Sequence, residues 1–575
     1  MHRTHTCGEL RKDYEGQIVT IAGWAHAIRP HGGVTFLDLR DRYGITQAVV
    51  PTELQDALKG VLRESVLKIT GQVTVKPKPN PKLATGEIEV VATSVEVLGP
   101  AAPLPIEIDA QNSDEARLTY RYLDLRRPEM QARIALRDRI ANSFRTHLRA
   151  EGFLEIETPL LLKSTPEGAR DYVVPSRVHH GRFYALPQSP QIYKQLLMVS
   201  GCDRYFQLAK CLRDEDLRAD RQPEFTQVDL EMSFVEPDDV YALGENVVRA
   251  VVRDALGAEI GEFPRMPYAQ AMATYGCDKP DLRFGLEMTD VTVIGKRSEF
   301  TVFKEAPLVK GFVVPKALGR KEIDAYTVFV KEFGAKGLAF ATVKGTALEG
   351  GISKFFSPEL QQELIGAFGA KDGETILLVA DKPKIANDAL ARLRNQIGKD
   401  LQLYDPKRLA FLWVTDFPLF EWDEESNDWT PAHHMFTMPR PDSLQYLTSD
   451  PGKVVAQCYD LVLNGVEMAS GSIRVHHPDI QRDIMRAMHI SEEDAKLKFG
   501  FMLEAFTYGA PPHGGFAIGL DRFCAMLNGD ADIREFIAFP KNKSAECPMD
   551  GSPTPVDEKQ LRDLGLILMK DVLGK

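Results

Sequence analysis

The clearest alternation of apolar and polar positions lies within residues 204–234. Residues 205–212 are mostly apolar and partly aromatic, which predicts a short buried strand. From residue 225 the pattern has period two, so Val228 and Leu230 share one face of a second strand while Asp229 and Glu231 share the other. Eight of the twelve residues 213–224 are charged. We therefore predict an antiparallel pair joined by a polar loop, whose acidic face is either solvated or paired with a partner.

The first hundred residues predict a small barrel. Short segments with strand patterns are separated by turns rich in Gly, Pro and Asn. These segments are residues 17–24, 34–40, 45–50, 65–75 and 87–98. Their number and spacing are typical of a Greek-key barrel of the OB type. On the second strand Thr35, Leu37 and Leu39 share the core face, which leaves Phe36 among charged residues outside. Such an aromatic side chain either stacks on an unpaired base or lies under a loop.

The next region predicts two helices, one from its periodicity and one from a helix-start signal. Residues 130–151 carry apolar residues at i, i+4 spacing, which predicts an amphipathic helix. Ser189, just before a proline, is the expected N-cap of a second helix. Gln191 and Lys194 then share one face of that helix, where the lysine can hold a small carboxylate.

A tight hairpin brings two acidic residues together in the C-terminal half. Asn464 and Gly465 form a strong two-residue turn signal, because a type I′ turn needs positive φ at both positions. This register places Asp460 opposite Ala469 and makes Asp460 and Glu467 diagonal neighbours, roughly 7–8 Å apart. Two carboxylates so placed can share divalent cations. An exposed polar hairpin is the alternative.

Two arginines in the same half are candidates for binding anionic groups. By strict alternation Arg474 falls on the face opposite the acidic pair, so a shared site requires a bulge near Gly471. Residues 514–522 read as a glycine-rich strand leading into a helix that Asp521 caps, with Arg522 placed to meet a phosphate. The glycines either admit a planar base or allow tight strand–helix packing.

His433 and His434 are adjacent on a segment predicted to be extended. Neighbouring side chains on such a segment point apart, and neither a Cys nor a Glu lies beside them in the sequence. We therefore expect no zinc at this pair.

Composition restricts the class of protein. The 575 residues are 44% hydrophobic and 26% charged, which indicates a globular protein of several domains. We find neither an apolar run of the ~20 residues that a membrane span needs nor an N-terminal apolar signal. The seven cysteines include no CxxC pair, which favours a reducing cytoplasm. The net charge of −12 argues against indiscriminate nucleic-acid binding, but residues 1–104 hold 12 Lys+Arg and 11 Asp+Glu and can still contact RNA locally.

Several of these stretches resemble one enzyme family. Residues 206–234, with Arg213-Asp214-Glu215 at the bend, resemble the second signature motif of class II aminoacyl-tRNA synthetases. Residues 130–159 resemble the first motif, and residues 514–522 the third. The wording of residues 212–227, Leu-Arg-Asp-Glu-Asp-Leu-Arg-Ala-Asp-Arg-Gln-Pro-Glu-Phe-Thr-Gln, is similar to that of the bacterial aspartyl-tRNA synthetases, and the similarity covers nearly the whole chain.

The resemblance implies a multidomain α+β fold. An OB-type anticodon-binding barrel would occupy residues 1–104, followed by a hinge at 105–129. A catalytic domain with an antiparallel sheet would occupy 130–283 and 411–575. An inserted α/β domain at 284–410 would interrupt the catalytic domain. The first motif would form the interface of a homodimer.

The resemblance also implies a reaction and a set of site residues. L-Aspartate would be activated with ATP and Mg²⁺ to aspartyl-adenylate and transferred to the 3′ end of tRNA-Asp. Arg213 and Arg522 would be the catalytic phosphate clamps, and Asp460 and Glu467 the metal ligands. The aspartate-binding residues would be Glu167, Ser189, Gln191, Lys194, Arg213, Gln227, Asp229, His433 and Arg474. The ATP-binding residues would be Arg213, Asp214, Glu215, Gln222, Glu467, Gly519, Leu520, Asp521 and Arg522. The tRNA-binding residues would be Arg29, His31, Phe36, Gln47, Arg218 and Arg221.

The chain departs from the family pattern at three places, and alternatives stay open. Residues 27–33 replace a more basic run, and His31 stands where family members that also charge tRNA-Asn tend to carry histidine. Met435 replaces a proline, and Ala469-Ser470 replace glycines. The alternatives are another class IIb synthetase (asparaginyl or lysyl), a non-catalytic RNA-binding relative, and an ATP-dependent ligase of free aspartate.

Overall fold

Five strands of the N-terminal unit close into a barrel, as the sequence predicted. The computed structural model describes residues 1–164, 168–218 and 220–569. The barrel strands are β1 (Ile18–His31), β2 (Val34–Asp41), β3 (Gly44–Val50), β4 (Val66–Val75) and β5 (Ile88–Gly99). They are ordered β1-β2-β3-β5-β4, and the β3–β5 pair is parallel. Thr35, Leu37 and Leu39 are buried as expected, because alternate residues of β2 face the core.

The chain divides into two compact units. One comprises Met1–Ala132 with Pro548–Asp550, and the other begins at Arg133. Helices α1 (Asp114–Thr119) and α2 (Arg121–Asp124) follow the barrel. Ser113 caps α1 by accepting a hydrogen bond from the amide of Ala116.

The predicted helix 130–151 is α3 (Pro128–Ala150), and the predicted strand pair begins the large sheet. The next elements are β6 (Leu154–Glu155), β7 (Val173–Pro175), β8 (Phe183–Ala185), α4 (Gln191–Val199), β9 (Arg204–Leu212), β10 (Glu224–Ser233), α5 (Pro237–Leu256), β11 (Arg265–Pro267) and α6 (Tyr268–Tyr275). β9 and β10 pair antiparallel, with Phe225 opposite Cys211 and Met232 opposite Arg204. Val228, Leu230 and Met232 are buried, which confirms the predicted apolar face.

A second sheet with helices of its own follows. Its elements are β12 (Thr289–Asp290), α7 (Thr292–Arg297), α8 (Thr301–Glu305), β13 (Leu308–Val314), α9 (Arg320–Glu332), β14 (Ala339–Lys344), β15 (Ala347–Glu349), α10 (Pro358–Phe368), β16 (Thr375–Asp381) and α11 (Pro383–Asp400). The strand order is β12-β13-β16-β14-β15, with every pair antiparallel. Separate apolar clusters, one around Leu377 and the other around Ile376, lie on its two faces.

The remaining strands complete the large sheet. The elements are β17 (Phe411–Thr415), β18 (Phe420–Asp423), β19 (Asp428–Pro431), β20 (Cys458–Leu463), β21 (Val466–Ile473), α12 (Pro478–Ala487), α13 (Glu492–Phe506), β22 (His513–Gly519), α14 (Leu520–Asn528) and α15 (Glu558–Asp563). The order is β11-β17-β20-β21-β22-β10-β9-β6. The inner pairs are antiparallel, as predicted, and the outermost pair at each end is parallel. Among the described residues, no helix combines the length and apolar character that crossing a bilayer requires.

Candidate active site

A cavity of about 740 Å³ opens beside the inner strands of the large sheet. Most residues that the sequence predicted to bind aspartate or ATP line it. They are Ser189, Gln191, Lys194, Arg213, Glu215, Gln222, Gln227, Asp229, His433, Glu467, Arg474, Gly519, Asp521 and Arg522. Arg221, predicted to contact tRNA, also lines it. Residues separated by more than 300 positions therefore meet at one place.

The other predicted residues of this unit lie elsewhere. Asp460 is 3% exposed and lies just behind the wall, with Oδ2 3.7 Å from His433 Nε2. Asp214 pairs with Arg170 at a smaller neighbouring cavity. The side chain of Leu520 packs in the apolar core, so only its backbone can contact a ligand. Arg218 is exposed on the loop after β9, outside the cavity wall. Glu167 lies outside the described residues.

A bulge in the β20–β21 hairpin gives Arg474 its place in the cavity. Asn464 and Gly465 have positive φ, as the turn type predicted, and Val462 pairs with Glu467. The next pair is Leu461 with Ala469, so Met468 is the extra residue and Asp460 pairs with Ser470. The predicted pairing with Ala469 was therefore wrong, and so was the predicted position of the bulge near Gly471. One inserted residue reverses the alternation, which turns Arg474 to the face that carries Glu467.

Four buried charges form a balanced network on one side of the cavity. Nζ of Lys194 lies 2.7 Å from Asp229 Oδ1 and 3.3 Å from Glu231 Oε2. Arg474 binds Glu231 through Nε at 2.9 Å and through its second terminal nitrogen at 3.1 Å. Both cations predicted to bind aspartate are therefore paired within the protein, and Glu231, which pairs with both, was not among the predicted site residues. The polar face of β10 already carried that signal, since an acidic residue at each alternate position of a buried strand requires cationic partners.

Electrostatics distinguish the two acidic residues of this network. Burial raises the pKa of Asp229, although Lys194 opposes the shift. Despite the opposing effect of burial, Arg474 and Lys194 hold the pKa of Glu231 below its usual range. Oδ2 of Asp229 is buried and has no hydrogen-bond partner within the protein. Asp229 therefore offers an unused acceptor, whereas Glu231 serves to hold Arg474.

His434 lies next to Arg474 and was not among the predicted residues. The guanidinium of Arg474 contacts Nε2 of His434 at 2.8 Å. Burial, and then Arg474, hold the pKa of His434 well below its ordinary value, so the ring is neutral at physiological pH. The ring lines the cavity beside His433. Only the neighbouring His433 matches the family motif, so the sequence carries no signal that would single out His434.

The start of α4 differs by one residue from the prediction. The helix begins at Gln191 with Pro190 as its N-cap, and Ser189 Oγ accepts a hydrogen bond from the amide of Gln191. Gln191 and Lys194 do share a face, since both line the cavity. Nε2 of Gln191 donates to Gln195 Oε1 at 3.2 Å, which fixes the orientation of its amide.

Arginines dominate the opposite side of the cavity. The guanidinium of Arg213 lies 5.2 Å from the centre of the Phe225 ring, and its Nε donates to the carbonyl of Gln188. Arg522 donates to the carbonyl of Glu467 and pairs with Asp220. Nε of Arg522 is buried without a partner in the protein. Both guanidinium groups are thus held by the chain while keeping donors available for an anion.

Asp521 and the glycines of β22 have packing roles. Asp521 was predicted to cap α14, but Gly519 is the N-cap. Asp521 instead accepts hydrogen bonds from the amide of Thr226 at 2.8 Å and from Arg137 at 2.9 Å, and so fixes β10 to α14. A Cβ at Gly515 would lie 2.6 Å from Oε2 of Glu231. The carbonyl oxygen of Leu230 would be closer still, so at Gly515 the glycine permits close packing against the neighbouring strand β10 rather than against a helix.

An acidic pair completes the arginine side of the site. Burial and the nearby Asp460 raise the pKa of Glu467. Oδ1 of Asp460 is buried without a partner in the protein. Two close carboxylates with an unused oxygen match the hard oxygen donors that Mg²⁺ requires, so the residues present fit this ion.

A thiol also lies beside this pair. His433, Cys458 and Asp460 each offer a ligand atom, and these atoms lie within 4.8 Å of one another. The expectation of no zinc at His433 and His434 rested on the sequence neighbours of His433, whereas strand β20 supplies Cys458 and Asp460 as possible ligands.

The predicted tRNA-contacting residues of the barrel unit lie on adjoining strands. Arg29 pairs with Phe36 across β1 and β2 and forms two hydrogen bonds with Asp38, at 2.7 and 2.8 Å. The rings of His31 and Phe36 are 6.5 Å apart. Gln47 Nε2 donates to Glu89, and its Oε1 accepts from Lys76. These side chains form a partly exposed strip of aromatic and polar groups.

Fold and site together define a class II tRNA synthetase. The chain matches the family of "tRNA synthetases class II (D, K and N)" over residues 113–543 and the "OB-fold nucleic acid binding domain" over residues 19–98. It is 49% identical to an aspartate–tRNA(Asp/Asn) ligase of Treponema denticola and 50% identical to an aspartate–tRNA ligase of Geobacillus kaustophilus. Both alignments cover 99% of each chain. The protein belongs to the aspartate–tRNA ligase family, which confirms the resemblance found in the sequence.

Solved structures share the fold at lower identity. The asparaginyl-tRNA synthetase of Pyrococcus horikoshii, complexed with asparaginyl-adenylate, superposes with a TM-score of 0.60 at 19% identity, covering 93% of this chain and 97% of that one. A putative aspartyl-tRNA synthetase of Leishmania major superposes with a TM-score of 0.61 at 20% identity, covering 94% and 93%. These similarities support the architecture alone.

Proposed function

We propose that the protein joins L-aspartate to ATP, forming aspartyl-adenylate, and then transfers the aspartyl group to the 3′ end of tRNA-Asp. The carboxylate of aspartate attacks the α-phosphorus and pyrophosphate leaves. This reaction needs positioning and charge stabilisation more than acid–base chemistry. One observation supports it best: three buried polar atoms lack protein partners, and they belong to Asp229 and Arg522, which line the cavity, and to Asp460, which lies 3.7 Å from the lining residue His433.

The balanced charge network is the proposed amino-acid pocket. Oδ2 of Asp229 would accept a hydrogen bond from the substrate ammonium, joined by Glu167, whose position lies outside the described residues. Lys194 uses two of its three N–H donors on Asp229 and Glu231, which leaves one for the side-chain carboxylate. Arg474 would supply the second contact by exchanging its bond to the neutral His434 for one to the substrate.

Specificity for aspartate follows from the donors of this pocket. Lys194 and Arg474 are donor-only groups, so an asparagine amide would direct N–H towards N–H. Leaving buried donors unpaired costs several kcal/mol. The remaining proposed aspartate-binding residues close the pocket around the backbone of the substrate. They are Ser189, Gln191, Arg213, Gln227 and His433.

The arginine side is the proposed nucleotide site. Arg213 and Arg522 would hold the α- and γ-phosphates, since both guanidinium groups face the same cavity. Asp214, Glu215, Gln222, Gly519, Leu520 and Asp521 would seat the nucleotide, with Leu520 acting through its backbone. Asp460 and Glu467 would hold Mg²⁺, which neutralises phosphate charge when bound.

The barrel strip is the proposed anticodon contact. Arg29, His31, Phe36 and Gln47 combine a stackable ring with hydrogen-bonding groups, which suits unpaired bases. Arg218 and Arg221 on the loop after β9 would meet the acceptor end. Charging of tRNA-Asn is a second candidate activity, favoured by the proximity of His31 to Phe36 and by the Asp/Asn name of the Treponema relative.

Assembly, compartment and domain limits are further parts of the proposal. Apolar side chains of residues around β6–β8 are exposed, including Leu154, Leu160, Leu161, Val173 and Phe183, which supports burial in a homodimer. None of the seven cysteines, all of which lie within the described residues, forms a disulfide, which supports a cytoplasmic location. The domain limits at residues 104, 129, 283 and 410 stay predictions.

Aminoacylation with purified tRNAs tests this function. We expect labelled aspartate to be transferred to tRNA-Asp, and to tRNA-Asn if the second candidate is right. A Phe36→Ala variant should lose transfer by roughly 10-fold to 100-fold while retaining ATP–pyrophosphate exchange, because base stacking is worth about 1–3 kcal/mol. Transfer of aspartate to neither tRNA would refute the proposal.

A further inference from the structure

We propose that His433, Cys458 and Asp460 form a binding site for a thiophilic divalent metal such as Zn²⁺, distinct in chemistry from the proposed Mg²⁺ site but sharing Asp460 with it. An imidazole, a thiol and a carboxylate are the three types of zinc ligand found in proteins. Each Mg²⁺ ligand, by contrast, is an oxygen atom. The thiol of Cys458 has no part in the activation of aspartate described above.

The distances fit a single metal ion. The ligand atoms lie within 4.8 Å of one another, and His433 Nε2 is 3.7 Å from Asp460 Oδ2. A tetrahedron with metal–ligand bonds of about 2.0–2.3 Å has edges of about 3.3–3.8 Å. Small side-chain movements would therefore bring the three atoms into coordination. Strand β20 fixes two of the ligands, because Cys458 and Asp460 are alternate residues and project from the same face.

A second observation points to a missing ligand at the same place. Asp460 is 3% exposed, and its Oδ1 has no hydrogen-bond partner within the protein. A buried carboxylate is costly without compensating partners, and here His433 lies 3.7 Å from Oδ2, which leaves Oδ1 unpaired. The site is also reachable, since His433 and Cys458 both line the large cavity. Three protein ligands leave a fourth position open for water or a phosphate oxygen.

Binding of Zn²⁺ at this site would affect aspartate activation, an inference that rests on the proposed function. Nitrogen and sulfur ligands favour Zn²⁺ strongly over Mg²⁺. A bound Zn²⁺ would engage Asp460 and withdraw it from the Mg²⁺ that accompanies ATP. We infer that low concentrations of Zn²⁺ inhibit aspartate activation through Cys458.

Cobalt titration of the full-length protein tests the site without relying on activity. Co²⁺ bound to a thiolate gives a near-ultraviolet charge-transfer band, and tetrahedral Co²⁺ gives intense visible bands. We expect one Co²⁺ per chain with both features, displaced by Zn²⁺. Cys458→Ala should abolish the charge-transfer band. His433→Ala, which retains the thiol, should weaken binding about tenfold or more. Cys202→Ala, which removes a partly exposed thiol outside the cavity, should leave the charge-transfer band and the affinity for Co²⁺ unchanged.

Two results would overturn the proposal. One is Co²⁺ binding to the wild type without a charge-transfer band, which would show that only oxygen and nitrogen ligands are used. The other is a band that persists in Cys458→Ala. Inhibition of exchange by Zn²⁺ is the parallel assay, and Cys458→Ala should be less sensitive than Cys202→Ala. A cobalt band in a protein that does not activate aspartate would support the metal site while refuting the proposed function.

Discussion

The two sheets of the second unit differ in the residues that they bury, which are partly charged in the large sheet and mostly apolar in the other. The large sheet carries four buried charged residues beside the cavity: Asp229 and Arg474 line it, and Glu231 and Asp460 are buried next to lining residues. In the sheet formed by β12–β16, strand β16 is almost wholly buried between apolar clusters. Buried charge is costly and contributes little net stability. Buried charge is concentrated beside the cavity of the large sheet, whereas the other sheet holds only the scattered buried charges Lys310 and Asp381 among the residues of its described strands, which supports the proposal that the large sheet carries the chemistry.

The largest expected effect comes from breaking the charge network. Glu231 is fully buried and pairs with both Arg474 and Lys194. Glu231→Gln would therefore leave both cations incompletely paired and out of reach of water. Removing one partner of a buried ion pair costs about 3–5 kcal/mol. We expect this loss in the free energy of unfolding by urea denaturation, together with a raised KM for aspartate. Unchanged stability would show that the network is not what holds the pocket.

A comparable effect, on rate alone, is expected at Arg522. Arg522→Ala removes donors from the proposed phosphate site, and loss of one such contact typically costs 10²–10³-fold in kcat, about 3–4 kcal/mol. ATP–pyrophosphate exchange measures it. Arg320→Ala is the matched control, because Arg320 is an exposed arginine that pairs with Asp324 on α9, a helix next to the smaller sheet in sequence. Equal activity of the two variants would contradict the assignment.

The smaller sheet should show the opposite behaviour. Leu377 is fully buried on β16, so Leu377→Ala should lower the free energy of unfolding by about 3 kcal/mol. Because Leu377 does not line the large cavity, the KM for aspartate and for ATP should stay within twofold of the wild type. A selective rise in either KM would show that this sheet is coupled to the site.

The smallest effect concerns Lys310, a buried cation of the smaller sheet. Its Nζ donates to the carbonyl of Met272 and to Asn387 Oδ1, and burial lowers its pKa from 10.5 to about 8 despite Asp290 and Cys277. Between these values the unfolded chain binds more protons than the folded one, so this residue's contribution to stability increases with pH. Relative to Lys310→Met, the wild type should gain at most about 1.4 kcal/mol per pH unit between pH 8 and 10. If the difference in urea midpoint between the wild type and Lys310→Met does not change with pH, the lowered pKa of Lys310 is refuted.

Local patterns were enough to predict the barrel and the hairpins, whereas most cavity residues were predicted from the resemblance to the synthetase family. Period-two alternation gave the faces of β2 and β10, and the Asn464-Gly465 turn fixed the start of its hairpin. Alternation could not reveal the extra residue at Met468, because bulges carry no strong signal in a single sequence. It therefore misplaced Arg474. Contacts between distant segments, such as Cys458 with His433 or Asp521 with Thr226, were also out of reach, because they depend on tertiary packing.

Discrimination between aspartate and asparagine is the most direct test of the proposed amino-acid pocket. ATP–pyrophosphate exchange on the full-length protein, measured with aspartate, asparagine and lysine in turn, gives kcat/KM for each. If Lys194 and Arg474 direct only donors at the substrate side chain, aspartate should be preferred by roughly 10³-fold or more. Comparable exchange with asparagine or lysine would contradict the pocket proposed on the large sheet.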